Sequence, residues 1–204
     1  AIQYCFPYKP NSELATAYDN IGRVYAELGY RTRAELLIEH GRQLRTELRD
    51  NKRLALSLNS SAVAHLAFGE PVHAYFLNKE SLRLQEPTKR IKGLAALTEG
   101  RSLRYIGKIP YLPDDLLLQS DNREGKPDLL ARAETVLKDA QSIFEELDEQ
   151  VRQFQVLNEL GCIYRERAIL MSQQHDDVEA DRYANDAIEY LQKSLGIAKG
   201  HDPT

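Results

Sequence analysis

Cysteine is nearly absent from this chain of 204 residues. Its two copies, Cys5 and Cys162, are widely separated with no CxxC pattern, which argues against a disulfide framework or a zinc cluster. That usage suits a reducing compartment, and the expected location is the cytoplasm. Long apolar runs are missing as well. Runs such as Leu116-Leu117-Leu118 fall far short of the roughly 20 residues that cross a bilayer, so no membrane partner is expected. No secretory leader pattern opens the chain. Methionine occurs once, at Met171, while the first residue is Ala1. The expectation is a processed chain or a piece of a larger protein, with a covalently linked domain upstream of Ala1. Positive charge is not in excess: 27 Lys+Arg stand against 31 Asp+Glu, a net charge of −4. A general nucleic-acid coat is therefore not expected.

Catalytic signatures are also lacking. There is no GxxxxGK[ST] phosphate loop, no GxSxG nucleophile elbow and no HExxH pair. His40, His65, His73, His175 and His201 form no close ligand pair in the sequence. His65 falls on a packing face and reads as a core or half-buried residue. His175-Asp176-Asp177 reads as a solvated turn, and the acidic run Glu145 to Glu149 as another. Cys162 follows Gly161 on a packing helix, where a buried inert thiol is the default. No enzyme, cofactor or metal is expected on these grounds.

What the chain does have is a recurring skeleton. Hydrophobic residues at 42% and charged residues at 28% describe a globular sequence. Tyr18, Ile21, Gly22 and Tyr25 follow the i, i+3, i+4, i+7 spacing of one helix face. Ala34, Ile38 and Gly41 continue at helical spacing after a tight turn at Gly29-Tyr30. Small residues that let two helices approach closely recur at Gly22, Ala62, Gly100 and Gly161. Three residues on stand Tyr25, His65, Leu103 and Tyr164; the first helix stops near Gly29, Gly69, Gly107 and Ala168. The second helix brings Ala34, Ala74, Ala133 and Ala187, and then Gly41, Ser81, Ala140 and Ser194. A mid-helix glycine costs about 1 kcal/mol against alanine, tolerable where a neighbouring helix needs the space. A glycine at the helix end is expected to supply a left-handed cap.

This pattern resembles the tetratricopeptide repeat (TPR), in its long and irregular form. The resemblance implies an all-α, right-handed superhelical stack of four TPR-like helix-turn-helix hairpins. They cover about 11–50, 51–86, 88–148 and 150–199, with residues 1–10 as a linker or the remnant of a preceding helix. The markers at 22, 62, 100 and 161 are spaced more widely than the family's period of about 34. The excess falls in a proline-punctuated insertion at 108–127 and in a longer fourth unit, turning near Gln173 to Val178.

The resemblance implies a non-catalytic module that binds a protein or peptide along a concave groove built from the first helices. The positions one and four after each small marker are expected to face it. They include Arg23, Arg101, Arg104 and Arg165, with Tyr105 beside them and Asn59 and Asn158 three before their markers. Such an arginine stripe would engage an acidic partner by forked hydrogen bonds. The alternative use of the arginines is pairing with Asp19, Glu27, Glu99, Glu159 and Glu166 on the same helices. Asp19 and Arg23 stand where the family's chaperone-tail clamp has lysine and asparagine, so chaperone tails are not the expected ligand. A second function implied by the resemblance is a ligand-sensing segment of a larger signalling ATPase or transcription regulator.

Overall fold

The computed structural model describes residues 11–84, 88–109 and 126–200. Every regular element among them is helical. They form α1 (Ser12–Glu27), α2 (Arg31–Glu47), α3 (Asn51–Ala67), α4 (Pro71–Arg83), α5 (Lys89–Ile106), α6 (Lys126–Glu146), α7 (Gln150–Gln173) and α8 (Asp177–Gly200). The expected N-terminal linker and most of the 108–127 insertion lie outside the described residues. The chain divides at Pro87–Thr88 into two compact units. In the first, α1 packs on α2, α3 packs on α4, and α3 lies against both α1 and α2. In the second, α5 packs on α6 and α7 on α8, with α7 against α6 and α5.

The helix boundaries follow from local chemistry. Asn11 caps α1, its Oδ1 accepting from the Leu14 N–H at 2.7 Å. Asp50 and Asp176 cap α3 and α8 in the same way. Pro71 opens α4 at the first turn, where no N–H is needed. Five helix joins share one reversal. Its hydrogen bonds are Tyr30 N–H to Tyr25 O, Asp50 to Arg45, Glu70 to His65, Glu149 to Phe144 and Asp176 to Met171, at 2.8–3.0 Å. Each needs a left-handed residue, supplied by Gly29 (φ 79°) and Gly69 (φ 76°) but also by Arg49, Asp148 and His175. Gly107 departs from the expected role. Its φ is −58°, because the chain does not reverse there into the next helix.

The small-residue register is the packing register. A methyl group on Gly22 would lie 2.6 Å from Ile38 Cγ1; on Gly100, 2.5 Å from Leu137 Cγ; on Gly161, 2.7 Å from Leu191 Cγ. Ala62 is buried at the same position, and Ala34, Ala74, Ala133 and Ala187 are buried opposite the markers. The later face repeats too. Ser81 Oγ donates to Ala55 O and Ser194 Oγ to Phe154 O, while Gly41 faces Ala15 O. All three carbonyls precede their marker by the same stretch of helix, so the hairpins cross alike. In the second unit Leu103, Leu137, Phe144, Leu160 and Ile163 fill the core.

One expectation changes. On α1 the buried stripe is Ala15, Asp19, Gly22 and Ala26, while Ile21 is exposed. Close approach to α2 requires the narrower residues, which turns Ile21 outward. The extra length of the fourth hairpin goes into helix, since α7 and α8 each run 24 residues. The turn between them is exposed at His175, Asp176 and Asp177, as expected. No helix among the described residues is long and apolar enough to cross a membrane.

Candidate functional site

The second unit collects Arg101, Arg104 and Tyr105 on α5 against α7. Arg101 Nε donates to Glu159 Oε1 at 2.9 Å. Arg104 Nε donates to Glu159 Oε2 at 3.0 Å, and its Nη1 to Glu166 Oε1 at 2.8 Å. Lys108 Nζ reaches the same Glu166 oxygen at 2.8 Å. The Arg104 guanidinium lies 4.3 Å from the centre of the Tyr105 ring, and the Lys108 ammonium 5.2 Å. Burial of Arg104 works against its charge, but Glu159 and Glu166 outweigh it and hold the guanidinium firmly protonated.

Arg104 is therefore not exposed in a groove. It is buried in the seam between two first helices. Its partners are on α7 and not on its own helix, because Glu159 and Glu166 straddle the point where α5 passes. Arg101 and Lys108 form the accessible rim, and Tyr105 is exposed beside them. Asn158, half-buried, and Arg165, exposed, are also on α7. The remaining expected site residues belong to the first unit. Arg23 is half-buried and donates to Asn20 Oδ1 at 2.9 Å. Asn59 is buried and donates to Asn78 Oδ1 at 3.2 Å, tying α3 to α4.

Between α6 and α7 of the same unit, Glu134 gathers three donors. Lys138 Nζ is at 2.6 Å, Tyr164 Oη at 2.5 Å and Arg167 Nη1 at 2.5 Å. Burial would raise the Glu134 carboxyl, but Lys138, Tyr164 and Arg167 together hold it below the usual carboxylate range. Burial, and then Glu134, push the Tyr164 phenol well above its usual range. A carboxylate lowered on folding stabilises the fold above its unfolded value, and the contribution is lost as pH falls through the folded value. Glu134→Gln is thus expected to lower stability by about 1–3 kcal/mol at neutral pH and to flatten the acid limb of a stability–pH curve. Equal slopes for the two proteins in urea unfolding below pH 5 would contradict the assignment.

In the first unit three donor groups meet at the α3–α4 turn. His65 Nδ1 lies 2.6 Å from Glu70 Oε2, and the His65 and His73 ring centres are 4.1 Å apart. One ligand atom from each of the three residues falls within 4.8 Å of the others. This revises the expectation of no paired histidines. They stand on different helices, and it is the reversal at Gly69 that folds them together. His65 is half-buried, as expected. Burial, and then the neighbouring His65, hold the His73 imidazole below its usual range. The pair lines one wall of a cavity of about 290 Å³, with Glu35, Glu39, Arg42 and Ser61 among the other walls.

Glu149 accepts from Arg90 Nε at 2.5 Å, and Glu146 pairs with Lys89, so the Glu145–Glu149 turn is tied back to the start of α5. Cys162 is half-buried and not fully buried, because it stands on the flank of α7 next to the packed Gly161. Comparison with known proteins finds no family model and no curated protein that matches this chain.

Proposed function

We propose that the four helix pairs are TPR-like units of a right-handed superhelical array, and that the chain is a non-catalytic module binding an acidic protein or peptide segment in the cytoplasm. The observation that carries this reading is the rim of the α5–α7 seam. Glu159 and Glu166 hold Arg101, Arg104 and Lys108 in place around the exposed ring of Tyr105. Three cations meet two carboxylates there, so the cluster keeps a surplus positive charge. Side chains already fixed lose less entropy when a ligand docks. Arg101 and Lys108 offer N–H groups to a carboxylate, while Tyr105 offers an apolar face to the neighbouring residue of the peptide. Arg165, further along α7, adds an exposed cation.

The test is fluorescence anisotropy with a series of labelled peptides graded in glutamate content. Affinity should rise with acidic content and fall with added salt. Arg101→Glu combined with Lys108→Glu should weaken the acidic peptides at least tenfold, about 1.4 kcal/mol, with an unchanged circular dichroism spectrum. Affinity that ignores peptide charge, or that survives the double variant, would sink the reading.

A further inference from the structure

The first unit holds a donor set that the peptide-binding reading does not use. We propose that His65, Glu70 and His73 form a binding site for one divalent transition-metal cation, with zinc the best fit. Two imidazoles and a carboxylate are the nitrogen and oxygen donors such ions take, whereas calcium and magnesium prefer oxygen alone.

The backbone fixes the donors before any ion arrives. His65 stands in the last turn of α3, and Gly69 at φ 76° reverses the chain behind it. The Glu70 N–H is held by His65 O at 2.9 Å, and the buried Pro71 starts α4. His73 then falls in the first turn of α4, with its ring over that of His65. Glu70 is oriented from its far side: Arg31 Nη1 is 2.7 Å from Oε1, which leaves Oε2 toward His65. Arg31 also bonds Glu35 at 2.8 Å, so a second carboxylate offsets its charge near the site. Such outer contacts orient metal ligands and sharpen affinity.

Zinc–ligand bonds of about 2.0–2.2 Å put tetrahedral donors some 3.3–3.5 Å apart. His65 Nδ1 and Glu70 Oε2, at 2.6 Å, must open by under about 1 Å to admit the ion, and the exposed His73 ring turns toward them to complete the set. Three protein ligands leave one position open to water or to a small ligand. The adjoining cavity gives access to it between Glu35, Glu39 and Ser61. A bound ion would bridge the end of α3 to the start of α4 and so raise the stability of the fold.

The probes are zinc and cobalt salts alone, added to the metal-stripped chain. Isothermal titration calorimetry should show one zinc per chain with micromolar or tighter affinity. Cobalt should give the intense visible absorption of a four-coordinate site, and zinc should raise the melting temperature. His73→Ala and Glu70→Gln should each weaken zinc at least tenfold and remove the melting shift. Paired His40→Ala and His175→Ala should bind as the unaltered chain does. If His65→Ala fails to fold, the other two variants still decide. No uptake, or uptake that persists in both His73→Ala and Glu70→Gln, overturns the site. The peptide measurements read a different unit, so the two proposals fail separately.

Discussion

Replacing Arg45 with methionine should destabilise the protein by about 3–5 kcal/mol, the cost of stranding a buried charge. Arg45 is on α2 and is 1% exposed. Its Nη1 meets Asp19 Oδ2 and Ser57 Oγ in short contacts and donates to Arg53 O at 2.9 Å. Its Nη2 donates to Thr16 Oγ1 at 3.1 Å. Ser57 Oγ also reaches Asp19 Oδ2 at 2.9 Å, so one polar centre joins α1, α2 and α3. Gly41 makes room for it: a Cβ there would lie 2.7 Å from Asp19 Oδ1. Methionine replaces the aliphatic stem of arginine but not the guanidinium, so the loss combines the charge, its hydrogen bonds and the buried space that the fork fills.

The pH dependence of that loss identifies its cause. Burial raises the Asp19 carboxyl, and Arg45, Ser57 and Arg23 only partly oppose it. A carboxyl raised on folding contributes most when protonated, and its contribution falls as pH rises through the folded value. Without Arg45 the opposing pull weakens and the folded value climbs further. The deficit of Arg45→Met should therefore be largest at neutral pH and shrink toward pH 4, as measured by urea unfolding across pH. A second substitution, Asp19→Asn, should recover part of the loss at neutral pH. A deficit that stays constant with pH would mean that packing, not charge, dominates.

These polar centres show where sequence reading works and where it stops. The close contacts of Gly22, Gly100 and Gly161 and the alanines facing them are legible, because packing demands small residues at a fixed helical offset. The reversals at Gly29 and Gly69 are legible for their conformational freedom. Arg49, Asp148 and His175 make the same reversal without that signal. Partners are harder, since an ion pair between helices leaves no spacing rule. Arg101 and Arg104 take glutamates of α7 as partners, not the i+3 and i+4 neighbours on α5 that spacing suggests. A signal for Asp19 and Arg45 does exist. Ala15, Asp19, Gly22 and Ala26 form one buried stripe, and Ala34, Ile38, Gly41 and Arg45 another. Each is interrupted once by a charge, and the two charges are opposite.

Arg104→Glu should be the most damaging charge reversal in the second unit, exceeding the roughly 3–5 kcal/mol of a simple broken buried pair. The side chain of Arg104 is 5% exposed, against 25% for Arg101. Reversal would set a third carboxylate against Glu159 and Glu166 where water cannot screen them. Arg104→Met removes the centre of the cluster but leaves Glu159 to Arg101 and Glu166 to Lys108. Arg104→Lys keeps the charge, yet one ammonium cannot reach both carboxylates as the guanidinium fork does. The expected order of loss is therefore lysine, then methionine, then glutamate, with Arg101→Glu milder than Arg104→Glu because its site is partly solvated. Thermal and urea unfolding of the four variants measure it. If glutamate and methionine at 104 cost the same, the carboxylates must move apart to water, and the seam is looser than its distances imply. If the order holds, Arg104 is a structural strut, and the surface left to recognise a ligand is the rim of Arg101, Tyr105 and Lys108.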